Sequence, residues 1–229
     1  MHVVREGGEY LGRQERRLWW YFGGNAAAVL FALAVAFAYP RAILAIPVAF
    51  ALANTAASRL ARVRRGRLGE RLVTNLLKRL PDDYCLVNDV MIDGGIGNID
   101  HVVVGPCGVV IIETKRVFGR INCDSDDWYI NGFKRGSISR RVKRNALALR
   151  RVLSTQYPDA YSGFIEGVVV FTHPLCRLEV RDARATVVRY SELLQLMLDL
   201  GRRRRLSAEM ARRIAEVVAS RHVRTAPAI

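Results

Sequence analysis

The feature that most constrains the fold is a pair of short segments rich in β-branched residues, 99–104 and 109–112. Valine and isoleucine favour strands, and the four residues between the segments read Gly-Pro-Cys-Gly, which is typical of a turn. Two strands joined by so short a connection can only pair antiparallel. The sequence therefore predicts a β-hairpin near the middle of the chain.

This hairpin is predicted to bring two carboxylates together. If Val104 pairs with Val109, antiparallel pairing sets Asp100 directly across from Glu113. Side chains alternate along a strand, so Glu113 and Lys115 share the face that Asp100 occupies. Like charges at opposed positions destabilise a sheet, and a bound divalent cation is the best reason for the pair, since such ions take carboxylate oxygens.

The net charge of the chain limits the kinds of molecule that it is expected to bind. The chain has 36 Lys and Arg residues against 21 Asp and Glu residues, a formal charge of +15, which favours nucleic acid or an anionic membrane surface. Its 4 cysteines are widely spaced and form no Cys-x-x-Cys pair, which excludes a disulfide framework and disfavours a zinc site.

The N-terminal third is predicted to cross a membrane twice. Residues 18–39 carry no charge and could span the hydrocarbon core, and residues 42–57 form a second uncharged segment. Arginines outnumber acids on the outer sides of both segments. This pattern predicts a cytoplasmic segment at 1–17, a transmembrane helical hairpin at 18–58 and a basic linker at 59–67, in a multi-pass inner-membrane protein with both termini cytoplasmic. A cleaved signal peptide and a buried soluble helical hairpin are the alternatives.

The remainder, residues 68–229, is predicted to be one α/β domain. Segments with helical periodicity alternate with apolar segments of strand length, which is typical of a mixed sheet flanked by helices. In the helix predicted at 138–154, Arg140, Arg144 and Arg151 follow a face opposite the apolar stripe. A basic face is usually only solvated, but the excess positive charge of the chain favours contact with phosphates.

These segments resemble a known family. Residues 98–104 (Asn-Ile-Asp-His-Val-Val-Val) and 109–115 (Val-Val-Ile-Ile-Glu-Thr-Lys), with Gly69 and Glu70 at the predicted start of a helix, are similar to the nuclease-related domain (NERD). That domain belongs to the PD-(D/E)xK phosphodiesterase superfamily. The similarity covers roughly residues 66–175, and it implies a restriction-endonuclease-like mixed sheet flanked by helices, which would follow the membrane hairpin predicted above.

The resemblance also implies roles for particular residues. Asp100 and Glu113 would be metal ligands, and the backbone carbonyl of Thr114 would be a third. Lys115 would position or deprotonate the attacking water or stabilise the charge on the phosphate, and Glu70 would be an auxiliary catalytic group. Magnesium is the first choice of cofactor and manganese the second.

One departure from the family pattern leaves more than one hypothesis open. Family members often carry an Asn-Pro…Gln element after the Glu-x-Lys strand, but residues 137–142 read Ser-Ile-Ser-Arg-Arg-Val, and Arg141 falls near the glutamine position, where it could contact phosphate. The first hypothesis is a membrane-anchored, metal-dependent nuclease acting on DNA at the cytoplasmic face. The second is an inactive nuclease-like module that binds nucleic acid or a protein partner at the membrane. The third makes Asp100, Glu113 and Lys115 a purely structural set of ion pairs.

Overall fold

A computed structural model describes residues 1–5, 9–38, 45–92, 97–157, 165–203 and 206–220. The chain forms two compact units, one of Met1–Gly7 with Gly69–Ile229 and one of Gly8–Leu68. Residues 93–96 lie outside the described residues, as do Arg204 and Arg205 of a basic run near the C-terminus.

The described elements are five helices and ten strands, and six of the strands follow one another between the second and third helices. The helices are α1 (Glu9–Ala38), α2 (Ala45–Leu77), α3 (Ile138–Gln156), α4 (Tyr190–Gly201) and α5 (Ala208–Ser220). The strands are β1 (His2–Arg5), β2 (Cys85–Met91), β3 (Asn98–Gly105), β4 (Gly108–Lys115), β5 (Gly119–Asp124), β6 (Asp127–Ile130), β7 (Phe133–Arg135), β8 (Glu166–Phe171), β9 (Cys176–Val180) and β10 (Thr186–Arg189).

The strands form two sheets, with orders β1-β2-β3-β4-β8-β10 and β7-β6-β5-β9. In the larger sheet β3 runs antiparallel to β2 and β4, whereas β8 runs parallel to β4 and β10. Half of the residues in each of the central strands β4 and β8 are valine or isoleucine, because both faces of these strands are covered. The prediction of an α/β fold with mixed sheets flanked by helices is confirmed.

The larger sheet separates two apolar layers. On one face the last turns of α2 and helix α4 pack through Val73, Leu77, Leu193 and Met197. On the other face α3 and α5 pack through Val142, Leu149, Leu153, Ala211, Ile214 and Val218. Side chains alternate along β3 and β4, so each strand contributes to both layers. The second face is the one that carries the predicted carboxylates.

The predicted hairpin register is confirmed. Val104 pairs with Val109, and Gly105 pairs with Gly108, so that Pro106 and Cys107 form the turn. The sequence did not predict β1, which has four residues and pairs in parallel with β2 at the edge of the sheet, or β9.

Helix α2 begins earlier than the sequence predicts. The expected start near Leu68 is wrong, because the helix runs without a break over Ala45–Leu77. Pro47 lies in its first turn, where a missing N–H does no harm. Gly66 and Gly69 lie inside it, and glycine lowers intrinsic helix propensity by about 1 kcal/mol relative to alanine without breaking the helix.

The unit of residues 8–68 contains α1 and most of α2. Glu15 of α1 forms ion pairs with Arg64, at 3.2 Å, and with Arg67. The guanidinium of Arg64 also lies 4.9 Å from the centre of a ring of Trp19. These described contacts between α1 and α2 are polar and cation–π contacts.

Across the described parts of the chain, no helix combines the length and the apolar character needed to cross a bilayer. The predicted multi-pass location in an inner membrane, with both termini cytoplasmic, is therefore wrong, and the transmembrane hairpin at 18–58 is not supported. The prediction rested on the absence of charge.

Candidate metal centre at the end of the hairpin

Asp100 and Glu113 lie where β3 and β4 stop pairing. The last regular pair of the ladder joins His101 to Ile112, and the next residues along the two strands are Asp100 and Glu113. At this point a side chain takes the place of a backbone partner, since the Thr114 N–H donates to Asp100 Oδ2 at 2.6 Å. The hairpin therefore brings the two carboxylates together at its open end.

The carboxylate of Glu113 contacts two cations. Lys115 Nζ donates to Glu113 Oε1 at 2.5 Å, and Arg141 Nη1 lies 3.5 Å from the same oxygen. Glu113 is 4% exposed, whereas the Lys115 side chain is 27% exposed. The Lys115 side chain therefore contacts the buried carboxylate of Glu113 and is itself partly exposed, so that its ammonium group can reach an incoming ligand.

The pKa of Asp100 indicates that several carboxylates lie close together at the end of the hairpin. Burial of its carboxylate raises the pKa of Asp100 well above the usual value, and the negative charges of Glu113 and Glu70 raise that pKa further. Lys115 and the Thr114 N–H act in the opposite direction without cancelling the rise. Carboxylates that disfavour each other's charge in this way favour a bound cation.

Gly69 allows α2 to approach the strand ends closely. A Cβ atom at position 69 would lie 3.0 Å from Thr172 Oγ1 and 3.1 Å from Thr114 Cγ2. A side chain there would push the helix away from the ends of β4 and β8. The next residue is Glu70, and the close approach accounts for its influence on the pKa of Asp100.

His101 lies on the opposite face and supports the site from behind. Its Nδ1 is 2.7 Å from Asn88 Oδ1, and its Nε2 is 3.2 Å from Thr114 Oγ1. Burial lowers the pKa of His101 to about 3, so the ring is neutral near pH 7. Nδ1 then donates to the Asn88 carbonyl oxygen, and Nε2 accepts from the Thr114 hydroxyl. His101 is a hydrogen-bonded core residue, and it fixes Thr114 beside the carboxylates.

The donor atoms fit a hard divalent cation. In a strand the N–H and C=O of one residue point towards the same neighbour, so the Thr114 carbonyl faces the side on which its N–H meets Asp100. Carboxylate and carbonyl oxygens are the atoms that Mg²⁺ and Mn²⁺ prefer. Within the described ranges no cluster of three or more His, Cys, Asp and Glu residues is arranged for a metal. The fit therefore needs the backbone carbonyl as well as Asp100 and Glu113.

Four arginines are predicted to contact nucleic acid, and Arg141 is the one that lies beside the two carboxylates. Besides its approach to Glu113, its Nη2 donates to the backbone carbonyl of Asn98 at 2.8 Å. Helix α3 positions it by its first turn, where Ser137 Oγ accepts from the Arg140 N–H at 3.0 Å and donates to Asp126 Oδ2 at 2.7 Å.

The other three predicted nucleic-acid contacts, Arg140, Arg144 and Arg151, lie exposed along α3. The sequence interpretation missed Lys143 and Arg150, which are also exposed on this helix. The full helical repeat would have identified both, since α3 carries no Asp or Glu. Lys143 and Arg150 line a groove between α3 and the segments leading into β8 and β10, with a floor that includes Val142, Ala146, Ile165 and Gly167. We refer to the exposed cations Arg140, Lys143, Arg144, Arg150 and Arg151 as the α3 basic face.

Comparison with known proteins identifies the family of this region. The model of the nuclease-related domain (NERD) matches residues 65–172, a segment that includes the hairpin, the end of α2 and helix α3. The suspected resemblance over residues 66–175 is confirmed. No curated protein matched the chain, and no solved structure matched it. Over residues 65–172, somewhat less than half of its length, the chain is similar to the nuclease-related domain family.

Proposed function

We propose that the chain is a metal-dependent nuclease that hydrolyses phosphodiester bonds of nucleic acid, with DNA as its substrate. The observation that carries the proposal is the meeting of Asp100, Glu113 and Lys115 at one strand end inside a nuclease-related domain. A purely structural ion-pair set is less satisfactory, because the pKa of Asp100 stays raised in spite of Lys115.

Each residue has a role that follows from its contacts. Asp100, Glu113 and the Thr114 carbonyl would hold Mg²⁺ or Mn²⁺, which would supply an activated water and neutralise charge on the phosphate. The Thr114 N–H holds the Asp100 carboxylate in place. Lys115 reaches the surface and can donate to a phosphate oxygen or orient the attacking water. Glu70 adds negative charge beside Asp100.

The direct test is cleavage by the full-length protein. Supercoiled plasmid and end-labelled oligonucleotides, single-stranded and duplex, are incubated with Mg²⁺, with Mn²⁺ and with excess chelator. We expect strand breaks with either metal and none with chelator. A protein that binds the DNA but leaves all these substrates intact with both metals would contradict the proposal.

The α3 basic face is expected to contact phosphates. Changing Arg140, Arg144 and Arg151 together to Gln should weaken DNA binding and lower the slope of log affinity against log salt concentration by about 3, since each phosphate contact contributes about 1. Fluorescence anisotropy at several salt concentrations measures the slope. The control variant loses the same number of positive charges elsewhere, through changes of the exposed Arg79, Arg212 and Arg213 to Gln. An equal decrease of the slope in both variants would exclude a specific role for the α3 basic face.

Arg141 supports a second candidate, a nuclease-like module that binds nucleic acid without cutting it. A guanidinium 3.5 Å from Glu113 Oε1 offsets the charge that a metal needs. If the site is catalytic, changing Arg141 to Gln removes this competing cation and should tighten Mn²⁺ binding by about tenfold, a modest part of the Coulomb energy of such a pair. Calorimetry measures the affinity.

Arg140→Gln is the matched control, because Arg140 is the neighbouring arginine on the exposed face. It should leave the metal affinity unchanged. The inactive module is favoured instead if neither the wild type nor Arg141→Gln binds Mn²⁺ while both still bind DNA.

A further inference from the structure

An exposed apolar patch lies close to the candidate metal centre. Phe118 is 60% exposed and Leu175 is 65% exposed. The ring of Phe118 meets the imidazole of His173 edge to face, with the ring centres 5.5 Å apart and the planes at 75°. We call Phe118, His173 and Leu175 the aromatic platform. Large apolar side chains grouped at a surface usually mark a binding site.

The platform adjoins Lys115 through two connected loops. Phe118 follows Lys115 by three residues, at most about 10 Å of extended chain. His173 and Leu175 follow β8, whose end is tied to the end of β4: the Thr172 N–H donates to the Lys115 carbonyl at 2.9 Å. Arg116 Nη1 also donates to the Thr172 carbonyl, at 3.1 Å. The patch and the carboxylates therefore occupy the same end of the sheet.

The backbone of the platform is fixed by contacts on several sides. Gly119 pairs with Cys176 where β5 and β9 begin, which places Phe118 and Leu175 at neighbouring positions just before this ladder. Asn131 Nδ2 donates to the Phe118 carbonyl at 3.1 Å, and the Leu175 N–H donates to His173 Nδ1 at 3.2 Å. A surface held in this way loses little entropy when a ligand binds.

The charges around the platform favour an anionic ligand. Residues 114–118 and 172–178 contain no Asp or Glu and carry Lys115, Arg116 and Arg177. Lys115 is paired with Glu113, and the nearby Arg120 is paired with Glu179, so the excess positive charge comes from Arg116 and Arg177. A ligand that suits both this charge and an exposed ring needs negative groups and flat apolar faces. Nucleic acid with unpaired bases has both, and aromatic residues beside cations are how proteins bind single strands.

We propose that the aromatic platform stacks an unpaired base of a nucleic-acid strand whose phosphate lies at Asp100, Glu113 and Lys115. The inference rests on the proposed nuclease function and specifies its substrate as a single strand, or a duplex with frayed or branched ends. Bases inside a regular duplex are stacked on each other and cannot reach Phe118 without being flipped out.

The test compares DNA binding by full-length Phe118→Ala and Phe118→Trp with the wild type, in chelator so that no strand is cut. Anisotropy of labelled oligothymidine and of a blunt duplex gives both affinities. Phe118→Ala should bind the single strand about tenfold more weakly and the duplex unchanged, because base stacking on an aromatic side chain has about this effect. Phe118→Trp should retain single-strand binding, and its fluorescence should be quenched by the oligonucleotide more than that of the wild type.

Leu198→Ala is the control for losing an exposed apolar side chain, since Leu198 is 37% exposed on α4. Leu175→Ala is a second platform variant and should weaken single-strand binding in the same direction. Equal single-strand affinity for Phe118→Ala and the wild type, or equal losses for single strand and duplex, would overturn the platform while leaving the nuclease proposal intact. A wild-type protein that binds no nucleic acid would overturn both.

Discussion

Changing Asp100 to Asn is expected to lower the rate of DNA cleavage by a factor of about 10³ or more. A metal ion contributes several kcal/mol to the stabilisation of a phosphoryl transition state, and each 1.36 kcal/mol is about tenfold in rate. Asparagine keeps an oxygen that can accept from the Thr114 N–H, so the local fold should persist. Because the variant also removes a partly buried carboxylate whose negative charge is disfavoured by Glu113 and Glu70, its thermal stability without metal should be equal to or higher than that of the wild type.

Asp182→Asn is the matched control. Asp182 is exposed and has a φ of 50°, a conformation that asparagine also tolerates. Its cleavage rate should equal that of the wild type. An Asp100→Asn protein that folds and still cuts at more than a tenth of the wild-type rate would remove Asp100 from the metal site.

Changing Lys115 to Met is expected to lower cleavage by about 10²- to 10⁴-fold while metal binding is retained. A positioned side chain that transfers a proton or stabilises charge contributes a factor of this size. Methionine keeps much of the length of the lysine stem and removes only the ammonium group. Since that group donates to Glu113 Oε1, its loss leaves the carboxylate more negative, and Mn²⁺ affinity should stay the same or rise.

Lys134→Met is the control for losing a lysine that is paired with an acid, because Lys134 Nζ lies 3.0 Å from Asp127 Oδ1 on an exposed hairpin. It should change neither cleavage nor metal affinity. If Lys115→Met lost metal binding together with cleavage, Lys115 would be a structural support of Glu113 rather than a catalytic residue.

The hairpin could be predicted from the sequence because its determinants are local. The residues of β3 and β4 are β-branched on both sides of a short Gly-Pro-Cys-Gly turn, and in a hairpin the length of the turn sets the register. Once Val104 pairs with Val109, alternation places Asp100, Glu113 and Lys115 on one face. The Asn131-Gly132 turn was predictable for the same reason, since both residues adopt the positive φ of a tight hairpin turn.

What the sequence did not predict depends on long-range contacts. Strand β1 is four residues long and is ordered by pairing with β2, far away in the chain. The contact of Arg141 with Glu113 arises because α3 packs on the face that carries the carboxylates. Phe118 and Leu175 are isolated apolar residues in the sequence, and only the parallel ladder of β5 and β9 makes them neighbours. The predicted transmembrane hairpin is not supported, since no helix of the described residues is long and apolar enough to cross a bilayer.

The most direct test of the central claim is a calorimetric titration of the full-length protein with Mn²⁺ and with Mg²⁺, comparing the wild type with Glu113→Gln. Glutamine keeps the shape of the side chain and removes one of the two charges that would hold the ion. We predict one metal site in the wild type and an affinity at least about 100-fold lower in the variant, as expected for a direct ligand. Equal metal affinities for the two proteins, or a wild type with no saturable site, would contradict a metal centre at the end of the hairpin.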